Sequence, residues 1–127
     1  LGMQAALPPG AFRALQRHFG VECECFASPL NATLPRFCSF FGGSGGGGCD
    51  RFFGSEGSFF EFRPEEGSFE CNPVFVTAIA ERMGAHIVAL LAASTKALSF
   101  VVVLPASLAA ALVRGTITAT AALTADD

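Results

Sequence analysis

Charge is scarce in this chain. Of its 127 residues only 15% are charged, eight basic against eleven acidic, for a net charge of −3. No basic patch dominates, which argues against a domain that binds nucleic acid through phosphate contacts alone. CxxC pairs are absent. The five cysteines (Cys23, Cys25, Cys38, Cys49, Cys71) and the two histidines (His18, His86) lack zinc-ligand spacing, so no metal site is expected. An odd cysteine count without a pairing pattern reads as free, mostly buried thiols in a reducing compartment. No charged segment followed by an apolar one opens the chain, so no signal peptide is expected. Leu1 stands where an initiator Met would, which suggests a fragment. The sequon at Asn31 would matter only in a secreted protein. The longest apolar run, Ile87 to Val113, is broken by Ser94, Thr95, Lys96, Ser99 and Pro105, so no membrane span or membrane partner is expected. There are no internal repeats.

What is present is apolar. Hydrophobic residues make up 51% of the chain and the mean hydropathy is +0.49. At 13.2 kDa that is enough for one domain with a real core, and it suggests surface that further chain would cover. Residues Gly42 to Gly48 are a Gly/Ser stretch. It lacks the Lys-Ser/Thr of a phosphate-binding loop and no helical pattern follows, so it reads as a flexible insertion.

Pro8-Pro9-Gly10 opens a segment in which Phe12, Leu15 and Phe19 recur at helical spacing, and Gly20 ends it. From Val21 to Ala27 apolar and acidic residues alternate with period two, the signature of a strand. Ser28-Pro29 breaks it. Leu30, Leu34, Phe37 and Phe41 then space as a short helix, with Pro35 tolerable only if the helix starts late. Ser58–Phe62 is a further apolar run, Glu65-Glu66 a solvated turn, and Ser68–Asn72 a strand. A helix runs from Phe75 to about Ser94 on a stripe of Val76, Ile79, Met83, Ile87 and Leu90. Leu98–Leu104 is continuously apolar and β-branched, as a strand buried on both faces should be. Strand, helix, strand in that order implies a parallel α/β sheet with Val21–Ala27, Ser68–Asn72 and Leu98–Leu104 side by side.

In such sheets ligands bind at the carboxyl ends of strands, beside the point where strand order reverses. Two strands here end in polar loops: Phe26-Ala27-Ser28-Pro29-Leu30-Asn31 and Asn72-Pro73-Val74-Phe75. An isolated Asn-Pro step is usually a turn opener. Yet methylation of an exocyclic adenine amine needs a side-chain carbonyl and a backbone carbonyl to hold the amine for in-line attack. It also needs a flat ring to stack on a base removed from its neighbours. Asn72, the Pro73 carbonyl and Phe75 would supply those three groups, as a variant of the (Asp/Asn/Ser)-Pro-Pro-aromatic motif of amino-methyltransferases. Both loops are expected to line one pocket. His18 and His86 read as surface or half-buried rather than catalytic, since this chemistry requires no histidine base. Glu24 either orients the first loop or faces solvent.

Four segments, ECFASPLN (24–31), FGSEG (53–57), GSFECNPVF (67–75) and LSFVVVLP (98–105), fall in the order and near the spacing of one family. Over residues 12 to 105 the chain resembles the catalytic domain of the phosphorylated CTD-interacting factor 1 family, cap-specific mRNA adenosine N6-methyltransferases. The resemblance implies an incomplete Rossmann-like methyltransferase sheet over residues 11–105. A lead-in (1–10) would precede it and a divergent Ala/Thr-rich tail (106–127) follow. It implies S-adenosylmethionine as cofactor, with Phe26, Ala27, Ser28, Pro29 and Asn31 against its methionine part. Asn72, Pro73 and Phe75 would take the catalytic and base-stacking roles. Capped mRNA would be the substrate, the phosphorylated C-terminal domain of RNA polymerase II a partner through a WW domain absent here, and the nucleus the location. The chain departs from the family pattern at Val74, where the family has a second proline, at Thr77, where it has glutamate, and after Pro105. Those departures keep a second reading open: a catalytically inactive copy acting as an interaction module.

Overall fold

The structure is a computed structural model, and it describes residues 7–39 and 54–116. Helix α1 (Pro9–Phe19) leads into strand β1 (Cys23–Ala27), followed by β2 (Arg36–Ser39), a short 3-10 turn at Phe59–Glu61 and β3 (Gly67–Cys71). Helix α2 (Thr77–Ala93), strand β4 (Leu98–Val102) and helix α3 (Ala106–Thr116) complete it. The four strands form one sheet in the order β2-β1-β3-β4, and every pairing is parallel. The expected neighbours are thus in place: β1 beside β3, and β3 beside β4. No helix among the described residues is long and apolar enough to cross a membrane.

Local chemistry accounts for most of these boundaries. Pro9 sits in the first turn of α1, where its missing N–H costs nothing. Gly20 closes the helix at φ 67°, a left-handed conformation that glycine adopts freely, and its N–H donates to Gln16 O at 3.0 Å. Of the expected α1 stripe only Phe12 is buried; Leu15 is half-buried and Phe19 is 60% exposed, because the helix touches the sheet through its first half. In α2 the stripe Met83, Ile87 and Leu90 is buried as its spacing requires, joined by Ala80 and Gly84.

Helices cover the sheet on both faces. On one, Cys23, Cys25, Cys38, Phe69 and Cys71 form the main core with Met83 and Ile87 of α2, Leu112 of α3 and Phe59. The four described cysteines are free and buried, as expected; Cys49 lies outside the described residues. On the other face Phe12 of α1 packs with Val21 and Leu34 in a smaller cluster that Val101 of β4 joins.

Two expectations need correction. The 30–41 segment is no helix: Arg36–Ser39 is strand β2, paired parallel with β1 after a connection of residues 28–35 (Phe41 lies outside the described residues). The three-to-four spacing of Leu34 and Phe37 is incidental, since Leu34 packs in the α1 cluster while Phe37 is buried as part of the strand beside β1. Nor is β4 buried on both faces. It lies at the edge of the described sheet with Ser99 exposed and its other residues half-buried, having β3 on one side only.

Candidate active site

The strand order places a site before any side chain is considered. From β1 the chain moves to β2 on one side, and from β3 it moves to β4 on the other. The order therefore reverses between β1 and β3, and their carboxyl ends splay apart there, where ligands bind in open parallel sheets. A cavity of about 110 Å³ opens near this point, lined by Leu7, Phe12, Glu24, Phe26, Asn31, Thr33, Glu70 and Asn72.

Asn72 is buried at 5% exposure, immediately beyond the last residue of β3. Residues two apart on a strand share a face, so Asn72 and Glu70 address the same side of the sheet. Pro73 is fully buried and Phe75 half-buried in the link from β3 to α2, where Val76 N–H donates to Val74 O at 2.8 Å. Neither Pro73 nor Phe75 lines the cavity.

The loop after β1 is closed on itself. The Ser28 N–H donates to Asn31 Oδ1 at 2.8 Å, and the N–H groups of Asn31 and Ala32 donate to Ser28 O at 3.1 and 2.9 Å. Asn31 thus serves the loop's shape as well as the cavity wall. Phe26 lines the cavity too, its ring 5.2 Å from that of Phe59. Ala27, Ser28 and Pro29 are half-buried in the loop and do not line it. Of the residues the two motifs nominate, the cavity brings together Phe26, Asn31 and Asn72. The others sit on the same two loops at the same end of the sheet.

The structure decides between the two expectations for Glu24. It is buried at 5% exposure, and its Oε2 accepts hydrogen bonds from the N–H groups of Thr33 and Leu34 at 2.7 and 2.6 Å. It orients the loop. Burial pushes its pKa up, and those two hydrogen bonds pull it back.

Glu70 is the functional candidate that the sequence motifs did not single out. It stands directly opposite Glu24 in the β1–β3 register and is 2% exposed, with no hydrogen-bond partner for Oε1 among the described residues. Burial, reinforced by the neighbouring Glu24 carboxyl, holds its pKa up at about 8. The available signal was an acid flanked by Phe69 and Cys71 in an apolar strand, two residues before Asn72.

His86 is half-buried against Phe59, 4.9 Å between ring centroids, with Nε2 2.8 Å from Phe62 O, and burial lowers its pKa. It packs on the α2 side, away from the cavity, and His18 is exposed on α1. No group of three or more potential metal ligands occurs among the described residues.

A family described as phosphorylated CTD interacting factor 1 WW domain matches residues 1–121. The chain is 44% identical over 104 residues to the mRNA (2'-O-methyladenosine-N(6)-)-methyltransferase of Homo sapiens, and 43% identical over 104 residues to that of Mus musculus. Each match covers 82% of this chain and 14% of the relative, so the chain spans a small part of the proteins it resembles. A WW module is named for tryptophan. This chain contains none, and the matched residues include the parallel sheet described above.

Proposed function

Because this chain belongs to the phosphorylated CTD interacting factor 1 family, we propose that it carries part of a methyltransferase site for the N6 amine of adenosine beside the mRNA cap. The single observation that carries the reading is the meeting of Asn72 and the Phe26–Asn31 loop at the carboxyl ends of adjacent parallel strands, around one cavity. On this reading the sheet is part of a Rossmann-like methyltransferase fold. The activity for which the relatives are named supports the substrate class.

The residues present fit one end of S-adenosylmethionine. At about 110 Å³ the cavity is well below the roughly 300–1,000 Å³ of a whole small-molecule cleft, so it admits an end group. The buried, unpartnered Glu70 Oε1 suits the amino-acid end. When bound, the cofactor supplies a methyl group on a sulfonium. Phe26 and Asn31 would hold its methionine part, with Ala27, Ser28 and Pro29 shaping the loop behind them. The Asn72 side-chain carbonyl and the Pro73 backbone carbonyl would accept hydrogen bonds from the target amine and orient its lone pair. Phe75 would stack on the displaced base. The phosphorylated polymerase C-terminal domain in the family's name is the proposed partner of the protein as a whole, and the nucleus its proposed location.

Methyl transfer from labelled cofactor to capped and uncapped RNA tests the reading, with the chain placed in the intact protein. Asn72→Ala should cut the rate about 10²–10³-fold, the usual cost of losing a preorganised polar contact in the transition state. Undiminished activity in Asn72→Ala would sink the mechanism. Equal activity on uncapped RNA would remove the cap assignment. No transfer by the unmodified protein would favour the inactive interaction module.

A further inference from the structure

Two buried carboxyl groups face each other across β1 and β3, and neither forms an ion pair among the described residues. Glu24 is committed through Oε2 to the Thr33 and Leu34 N–H groups. Glu70 is not committed. Its Oε1 is buried and has no hydrogen-bond partner among the described residues, and Glu70 lines the same cavity as Asn31 and Asn72. A buried acceptor left open costs about as much as a lost hydrogen bond, so such a group in a native site is met by an ordered water or by a donor atom of a ligand that displaces it. No group of three or more His, Cys, Asp or Glu that could hold a metal ion occurs among the described residues, and Glu24 Oε2 and Asn31 Oδ1 are already engaged by backbone N–H groups. The open Glu70 oxygen suits an organic cation that donates N–H bonds.

We propose that Glu70, backed by Glu24, is the recognition group for the ammonium of the ligand's amino-acid end. This rests on the cofactor reading above and adds to it the residue that selects that end. An ammonium meets the geometry where the sulfonium does not, because an open carboxyl oxygen accepts N–H donors and a sulfonium carries none. Glu24 holds the loop that roofs the cavity, so it is a positioning residue. Glu70 touches the ligand.

The proposal carries a pH signature. The only charged group facing Glu70 from β1 is Glu24, while β4 places Val101 opposite it in register. Helix α1 packs over this face through Phe12, and its Arg13, Arg17 and His18 are exposed. With no cation beside it among the described residues, Glu70 holds its proton to about pH 8, and an ammonium ligand binds best once that proton leaves.

Isothermal calorimetry on the full protein and on Glu70→Gln, from pH 7 to 9, tests this with three probes. S-adenosylmethionine carries ammonium and sulfonium, S-adenosylhomocysteine the ammonium alone, and 5'-methylthioadenosine neither. Glu70→Gln should weaken the first two about 10- to 100-fold and leave the third within about two-fold. Their affinity for the unmodified protein should tighten as pH rises from about 7 toward 8, above which the ligand's own ammonium gives up its proton, and the variant should lose that rise. A loss confined to S-adenosylmethionine would overturn the ammonium assignment. An equal loss for all three probes, or none for any, would overturn the role of Glu70 and leave the cofactor reading standing. Failure of the unmodified protein to bind any probe would overturn both. Unfolding curves keep the variant interpretable, since Gln fills the same volume without a charge to bury.

Discussion

At the scale of single residues, the Glu24–Glu70 pair dominates the energetics of the site. Glu70 has a folded-state pKa of about 8, above the roughly 4.3 of an unfolded glutamate. Between those values the native chain keeps a proton that the unfolded chain has released. Stability is therefore highest below about pH 4, as far as this group is concerned, and falls as pH rises through 8. The total change is on the order of a few kcal/mol. Urea unfolding from pH 5 to 9 should show this decline, and Glu70→Gln should flatten it; an unchanged slope in the variant would show that Glu70 does not titrate this way. Val74 has a smaller role. It stands in the link between Asn72 and α2, and Val74→Pro should stiffen that link by about 0.4–1 kcal/mol if the local φ suits proline. Methyl transfer should then stay level or rise, whereas a clear drop would mean that the link must move.

At the scale of elements, the two loops at the sheet's carboxyl edge are held differently. The β1–β2 connection depends on a strand residue, Glu24, capping two backbone N–H groups further along the chain. Glu24→Ala leaves those donors unmet, and Glu24→Gln keeps an acceptor in place. The alanine variant should be the less stable by about 1–3 kcal/mol in chemical denaturation, with faster amide exchange at Thr33 and Leu34. Equal stability of the two would mean that water replaces the carboxylate without loss. At the other end of β3, Gly67 takes φ 114°, and a Cβ there would meet the Glu22 carboxylate and the Phe69 ring. Its N–H also donates to Ala97 O at 2.9 Å, tying the start of β3 to the entry of β4. Gly67→Ala should lower stability by about 1–3 kcal/mol, since the backbone angle is strained for any L side chain. Thermal melts check this, and a neutral result would show that the β3 entry relaxes freely.

The elements also show what periodicity reveals and what it conceals. Helix α2 and strands β1, β3 and β4 were legible because each carries one period over its length, 3.6 or 2, or an unbroken apolar run. Strand β2 was not, because its four residues follow Pro35 and their pairing with β1 is a long-range fact. The edge position of β4 was hidden likewise: an apolar run shows that a strand packs somewhere but not how many neighbours it has. Residues 106–127 read as a divergent Ala/Thr-rich tail, yet Ala106–Thr116 forms α3, whose Leu112 is buried in the main core. At the site, Asn72 and the Phe26–Asn31 loop could be nominated from local chemistry. Glu70 could not, because its meaning lies in Glu24 standing opposite, on a strand more than forty positions earlier in the chain.

At the scale of the whole molecule, function depends on topology more than on any one motif. A sheet ordered β2-β1-β3-β4 opens a crevice at one place, and both polar loops emerge there. The thiol-rich, phenylalanine-rich core lies beneath α2 and α3, while the α1 face bears the carboxyls and the cavity. Amide hydrogen exchange of the protein with and without S-adenosylhomocysteine tests this central claim most directly. The account predicts slowed exchange at residues 30–34 and 74–76, with Glu65 and Ala97 at the opposite end of the sheet unchanged. Protection at that opposite end, or no protection anywhere at saturating ligand, would contradict it.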